Sequence, residues 1–244
     1  MTKRPHASAI VVLGALALFV GIAAVARSSS GPPAQAAKSI RLEEVTMIIE
    51  TNATDGDAGL QVFLDGEPWR SMAVARPGGK KILDVKAKGR LKNFGLTELF
   101  SESNEPEFKE LPFDKFKKRF PEGQYSFAGR TIEGDKLVGK ARLSHDVPPG
   151  PEIISPAADS TVPRDNVVAR WAPVTEPGIE IDGYRAIVER EDPLRVFNAD
   201  LPASQTSVTI PPEFLEPGTE FKLEVQAIEA NGNQTISEHS FRVS

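Results

Sequence analysis

The sequence contains no cysteine and only three histidines, and these absences remove several classes of function. Without cysteine the chain has no disulfide, no thiolate nucleophile and no thiolate zinc site. His6, His145 and His239 are far apart in the sequence, whereas a Ser-His-Asp triad needs a histidine held by an acid beside the nucleophile. We therefore expect a non-catalytic protein without a cofactor, and we assign no catalytic, cofactor-binding or metal-binding residue.

The chain also lacks a surplus of positive charge. It carries 29 Lys and Arg against 34 Asp and Glu, which gives a formal net charge of −5. A nucleic-acid-binding surface needs a basic face, so we predict no nucleic-acid partner. The 20 prolines and 19 glycines interrupt regular structure often, and this composition favours short strands and turns over helices.

Only one long uncharged run is present, and it lies at the N-terminus. Lys3 and Arg4 precede the run from Ala7 to Ala26, and a Ser, Gly, Pro and Ala-rich tether follows it. This order is typical of a signal peptide, and the run is also long enough for an uncleaved membrane anchor. Both alternatives predict export to the periplasm, cell surface or exterior, with possible attachment to the inner membrane through residues 7–26.

A proline-rich segment divides the remainder of the chain. "HDVPPGPE", residues 145–152, excludes both strand and helix because proline fixes φ and removes a backbone donor. We therefore predict three parts, which are residues 1–38 as signal or anchor plus tether, residues 39–146 as a β-rich domain of unknown family, and residues 151–244 as a second domain.

The front domain shows short alternating patterns typical of strands. Apolar residues alternate in "EEVTMIIETN" and "GLQVFLDG", and Asp65-Gly66 predicts a turn after the second of these. One segment differs, since Phe113, Phe116 and Phe120 lie on one face of a predicted short helix in "LPFDKFKKRFPEG". The fold class is therefore all-β, with two antiparallel β-sandwich-like domains, one short helix and an N-terminal signal or anchor helix.

The back domain carries an ordered set of anchors. They are Trp171 in "RWAPV", Gly183-Tyr184, and "LEPGTEFKLEVQAIEANG", with Asn231-Gly232 as a hairpin turn. In this order the residues resemble a fibronectin type III domain over most of residues 151–244. The resemblance implies an immunoglobulin-like sandwich in which Phe221 stands where the family usually has the tyrosine of the corner hydrogen bond.

Two features of the front domain have alternative interpretations. The loop Asn52 to Gly59, "NATDGDAG", offers several oxygens for calcium, or it is a turn between two strands. Trp69 either packs in the core or is exposed and stacks on a sugar or a partner.

The leading hypothesis is an exported, non-catalytic envelope or extracellular protein that binds or scaffolds a protein or glycan. The candidate surfaces are loops, because loops carry recognition in such folds. They are residues 174–183, residues 191–200, and the front loops near Asp55 and Trp69. The alternative is a secreted carbohydrate-binding or carbohydrate-active protein in which the type III-like part is an accessory module.

Overall fold

The computed structural model of the chain describes residues 37–244, which form one compact unit. The predicted signal or anchor segment, residues 7–26, lies outside the described residues. Within residues 37–244 no helix has both the length and the apolar composition needed to cross a membrane.

Seven strands and two short helices build the N-terminal module. The strands are β1 Ser39–Arg41, β2 Glu44–Asn52, β3 Asp57–Ala75, β4 Lys81–Lys86, β5 Leu96–Glu102, β6 Gly123–Thr131 and β7 Lys136–Leu143, and the helices are α1 Leu91–Phe94 and α2 Phe113–Arg119. The sheet runs in the order β1-β7-β6-β3-β2, and β4 and β5 both pair with β3.

Strand β3 continues through Asp65-Gly66, so the predicted turn at this position is wrong. Its first half pairs with β2 and β5 and its second half with β4 and β6, with register shifts around Trp69. A bent strand of this kind passes from one sheet layer to the other. Gly66 serves close packing, since a Cβ there would lie 2.9 Å from Cδ2 of Leu42.

The N-terminal core forms from the inward faces of these strands and the phenylalanine face of α2. Phe116 is buried, and Phe113 and Phe120 pack against the same cluster, so the predicted core role of this face is confirmed. Tyr125 in β6 is also buried, and its hydroxyl donates to the Pro121 carbonyl at 2.9 Å. Burial raises the pKa of Tyr125 to about 12, although the charge of Arg76 opposes the shift.

Eight strands build the C-terminal module. They are β8 Ile153–Ser155, β9 Thr161–Val162, β10 Val168–Trp171, β11 Ile181–Arg190, β12 Arg195–Pro202, β13 Ser207–Thr209, β14 Glu220–Glu229 and β15 Gln234–Val243. One layer has the order β13-β10-β8, and the other contains β9, β15, β14, β11 and β12. The prediction of two antiparallel β-sandwich-like modules is confirmed, and short parallel ladders add to it.

The C-terminal core contains the predicted anchors. Trp171 and Tyr184 are buried with ring centroids 5.5 Å apart, and Phe221 packs between Phe214 and Phe241. The Tyr184 hydroxyl accepts a hydrogen bond of 2.8 Å from the Val174 amide. The two modules thus have separate cores, while the predicted boundary between residues 146 and 151 stays a prediction.

Candidate functional site

The two modules share one sheet. β15 of the C-terminal module pairs in parallel with β2 of the N-terminal module, with Gln234 opposite Glu50 and Thr235 opposite Thr51. The Ala53 amide continues this pairing with a 2.8 Å bond to the Ile236 carbonyl. A shared ladder fixes the relative orientation of the modules better than a flexible linker does.

The β14–β15 turn places Asn233 between the modules. Gly232 takes a positive φ of 93°, which glycine adopts without steric cost, and the Gly232 amide donates to the Glu229 carbonyl at 2.7 Å. Asn231 Oδ1 accepts a 2.8 Å bond from the Asn233 amide. The predicted hairpin is therefore present, and Gly232 supplies its left-handed residue.

Asn233 is buried and bridges the modules with three hydrogen bonds. Its Oδ1 accepts from the Ile49 amide at 2.8 Å, and its Nδ2 donates to the carbonyls of Ser144 at 3.0 Å and Asp146 at 2.8 Å. A buried carboxamide satisfied in this way stabilises one arrangement, because losing it leaves several buried backbone groups unpaired.

Three further contacts close the same junction. Thr51 Oγ1 and Thr235 Oγ1 lie 2.7 Å apart, and Thr235 Oγ1 donates to the Pro148 carbonyl. Gln234 Nε2 donates to Glu50 Oε2. At Gly150 a Cβ would lie 2.5 Å from Ala53 Cβ, so only glycine allows the proline-rich segment this close to β2.

An open cleft of about 530 Å³ lies at this junction. Both modules contribute to it through five segments: the β2–β3 turn, the region before and at the start of α2, the segment 145–150, the loop 174–180 and the start of β15. The loop 174–180 is ordered by a turn in which the Ile179 amide donates to the Glu176 carbonyl at 3.1 Å. The cleft therefore depends on the fixed arrangement of the modules.

The cleft has apolar walls and an acidic rim. Phe108 and Phe113 form one wall with ring centroids 5.7 Å apart, and Ile179 lies on the C-terminal side. Asp146 and Glu176 are exposed at the rim. Among the described residues that line the cleft, none is Lys or Arg. This surface suits a ligand that brings apolar groups and positive charge.

His145 lies at the edge of the cleft but is tied to the backbone. Its Nε2 is 2.8 Å from the Phe120 carbonyl, and its amide donates to Glu122 Oε1 at 2.7 Å. The other described histidine, His239, has its Nε2 2.8 Å from the Pro156 carbonyl. In each histidine, one ring nitrogen is thus engaged by a backbone carbonyl.

Two of the four candidate surfaces meet at the cleft. The turn that contains Asp55 lies beside it, and the Thr54 hydroxyl accepts a 2.9 Å bond from the Glu238 amide of β15. Glu176 and Ile179, from the predicted loop 174–183, line its other side. The sequence identified both loops but gave no sign that they are neighbours, since long-range pairing of β2 with β15 brings them together.

The other two surfaces differ from expectation. Residues 191–200 were predicted as a loop, but Arg195–Pro202 forms the edge strand β12, because Phe197, Ala199 and Leu201 alternate toward the core. Trp69 is fully buried, and its Nε1 donates to the Thr97 carbonyl at 3.3 Å. The core interpretation of Trp69 is thus correct, and this residue offers no face for stacking on a sugar.

The loop Asn52 to Gly59 forms a side-chain-capped turn. Asn52 Oδ1 accepts bonds from the amides of Thr54 at 2.9 Å and Asp55 at 3.2 Å, and Gly56 takes a φ of 69°. This internal bonding explains the choice of residues in the loop.

A group of carboxylates also lies in this module. Ligand atoms of Glu50, Glu102 and Glu105 lie within 4.8 Å of one another. Amide side chains already donate to two of them, Gln234 to Glu50 and Gln61 to Glu102 at 2.9 Å. Two of the three carboxylates thus accept hydrogen bonds from side chains of this protein.

Sequence reasoning missed Asn233, the residue that holds the site together. The available signal was the run of three polar residues, Asn233 to Thr235, directly after the Asn231-Gly232 turn. Polar side chains at inward positions of a strand indicate a buried hydrogen-bonded contact.

The architecture of the C-terminal module is that of an immunoglobulin-like sandwich. Residues 156–243, which make up most of this module, match the family model of the fibronectin type III domain. The resemblance inferred from Trp171, Gly183-Tyr184 and the β14 turn is thereby confirmed.

Three solved structures show a distant similarity to the chain. A two-domain fibronectin type III segment of chicken tenascin shares 11% identity over 82% of this chain and 98% of its own, with a TM-score of 0.31. The chicken CNTN1 FN1-FN3 domains share 13% over 85% and 69%, with a TM-score of 0.34. A 1.5-MDa bacterial ice-binding adhesin shares 14% over 84% and 66%, with a TM-score of 0.29. The curated proteins include no match.

Proposed function

We propose that this protein is an exported, non-catalytic binding protein whose ligand occupies the cleft between its two modules. The observation that carries the proposal is the junction itself, where Asn233 and the shared β2–β15 ladder hold both walls of the cleft in place. A preformed site binds with a smaller ordering cost than one that has to assemble. The fibronectin type III domain supports a binding role, and the uncharged N-terminal run supports export.

The proposed ligand is a segment of another envelope or extracellular protein. The walls at Phe108 and Ile179 would accept apolar side chains, and the rim at Asp146 and Glu176 would favour a basic residue beside them. An open cleft of this size admits an extended peptide segment, most of which would stay accessible to solvent.

Site-specific photo-crosslinking of the full chain in its native envelope tests this function. A photo-crosslinking amino acid in place of Phe108 is expected to yield a discrete adduct of defined mass, whereas the same group in place of Leu194, which is exposed away from the cleft, is not. Glu176→Lys should weaken the adduct because it replaces one of the two acids of the rim with a cation. Glu191→Lys makes the same charge change outside the cleft and should leave the adduct unchanged.

Three outcomes contradict the proposal. They are equal adducts from positions 108 and 194, no adduct from position 108 in cells that express the protein, and an adduct that Glu176→Lys and Glu191→Lys reduce equally. The last would show that overall charge, rather than the cleft, attracts the partner.

A further inference from the structure

The positive charge of the chain is concentrated in one stretch of the N-terminal module. Residues 76–92 contain seven Lys and Arg and a single acid, Asp84, which leaves 22 basic and 33 acidic residues in the remainder of the chain. Asp84 is 2.9 Å from Lys81 and is thus already paired. Residues 76–92 are therefore strongly basic, whereas the rest of the chain is acidic.

The end of this stretch and the two residues that follow it form an exposed surface, which we name the basic loop and define as Lys86–Phe94. Every residue from Lys88 to Phe94 is exposed, and α1 within it buries no side chain. Its apolar residues are exposed to an unusual degree, with Leu91 at 52% and Phe94 at 76%. Exposed large apolar side chains beside cations are typical of an interaction surface.

Most cations of the basic loop have no acidic partner within the protein. Over residues 37–244, Lys88, Arg90 and Lys92 form no ion pair. Lys86 differs, since its charge helps Lys81 to lower the pKa of Asp84. Internal ion pairs therefore do not account for the charges of Lys88, Arg90 and Lys92, whereas a negatively charged partner would.

Both ends of the basic loop are fixed to the body of the module. The Ala87 amide donates to the Arg70 carbonyl at 2.8 Å. At the other end, Gly95 has a φ of 80° and packs so closely on Pro68 that a Cβ would lie 2.9 Å from the Pro68 side chain. The Gly95 amide closes α1 with a 2.8 Å bond to the Leu91 carbonyl. The exposed apolar residues are thus presented on an anchored element.

The first described residues of the chain lie at the same end of the module. The Lys38 amide donates to Asp135 Oδ1 at 2.8 Å in the β6–β7 turn. From this turn the Ile132 amide donates to the Pro68 carbonyl at 3.1 Å, and Pro68 contacts the basic loop at Gly95. Lys38, near the start of the described residues, therefore lies at the end of the module that carries the basic loop.

We propose that the basic loop docks on an anionic phospholipid surface. Lys86, Lys88, Arg90 and Lys92 contact headgroup phosphates, while Leu91 and Phe94 enter the boundary between headgroups and acyl chains. Basic residues near an anionic bilayer add attraction that salt screens, and adjacent apolar residues add burial that salt does not screen. A nucleic acid or acidic polymer would pair with the cations of the basic loop but would offer Leu91 no apolar contact. This surface is separate from the cleft.

An environment-sensitive fluorophore tests the proposal in the full chain, because the absence of native cysteine allows a single label. In the test sample the probe is attached to Phe94→Cys. In the control it is attached to Leu194→Cys, because Leu194 is 61% exposed and lies on the other module. Each protein is mixed with vesicles of phosphatidylcholine alone or of equal parts phosphatidylcholine and phosphatidylglycerol. We expect a blue shift at position 94 with anionic vesicles only, and no shift at position 194.

Charge variants test whether membrane binding depends on the cations of the basic loop or on any surface cations. Lys88→Gln, Arg90→Gln and Lys92→Gln together should remove most of the shift at position 94. Lys115→Gln, Lys118→Gln and Arg119→Gln remove the same charge from the exposed side of α2 and should preserve it. The proposal is overturned by an equal shift with both vesicle types, by no shift with anionic vesicles, or by an equal shift with a soluble polyanion in the absence of lipid.

Discussion

Lys222 shows how a single residue stabilises the outer face of the C-terminal sheet. Its Nζ is 2.6 Å from Glu224 Oε1, 2.9 Å from Glu189 Oε1 and 3.7 Å from Glu238 Oε2. Burial alone would lower the pKa of Lys222, but the hydrogen bonds to Glu224 and Glu189 and the charge of Glu238 hold it well above its usual value. One cation thus compensates several carboxylates, of which Glu224 is fully buried.

Removing that cation should destabilise the protein strongly. Lys222→Met leaves the Glu224 carboxylate buried without its cation, and we expect the free energy of unfolding to fall by about 3 kcal/mol. Lys140→Met, at an exposed position, should change it by less than about 0.5 kcal/mol. Chemical denaturation of both variants checks the difference, and equal effects would contradict the role given to Lys222.

The same residue gives a pH dependence with a defined sign. Because the pKa of Lys222 is raised in the folded state, its contribution is complete below the unfolded value of 10.5 and is lost as the pH rises through the folded value. Denaturation at increasing pH above 10.5 should therefore show a smaller loss of stability in Lys222→Met than in the unmodified chain.

At the scale of elements, the β14–β15 turn connects the two modules, and Asn233 is its central residue. Asn233→Ala removes three hydrogen bonds and leaves the Ile49 amide and the Ser144 carbonyl without this partner. We expect the free energy of unfolding to fall by about 2 to 4 kcal/mol and hydrogen exchange in β2 to accelerate.

A matched control distinguishes this effect from the loss of any asparagine. Asn198→Ala, on the exposed edge strand β12, should leave both the stability and the exchange of β2 almost unchanged. Hydrogen exchange measured by mass spectrometry follows both variants. Slow exchange of β2 in Asn233→Ala would show that the shared ladder does not depend on this side chain.

How much of each element the sequence predicts depends on the range of its contacts. Alternation identifies β2 and β14, and the spacing of Phe113, Phe116 and Phe120 identifies α2, because these patterns reflect local periodicity. The change of partners along β3 around Trp69 and the pairing of β2 with β15 depend on residues distant in sequence. The candidate loops could therefore be predicted, but the cleft that they form could not.

At the scale of the whole molecule, the account depends on a fixed relation between the two modules. Separate hydrophobic cores would permit independent motion if only the proline-rich segment joined them. The β2–β15 ladder, Asn233 and the close approach at Gly150 all oppose such motion. We therefore predict that both walls of the cleft keep their separation whether or not a ligand is bound.

The most direct test measures the distance between the modules in solution. Lys140→Cys in the N-terminal module and Asn198→Cys in the C-terminal module are exposed, and the chain has no other cysteine to label. Double electron–electron resonance between spin labels at these positions should give a single narrow distance distribution in the ligand-free protein, and Asn233→Ala should broaden it. A broad or multiple distribution in the otherwise unmodified chain would contradict the rigid junction and, with it, the preformed cleft.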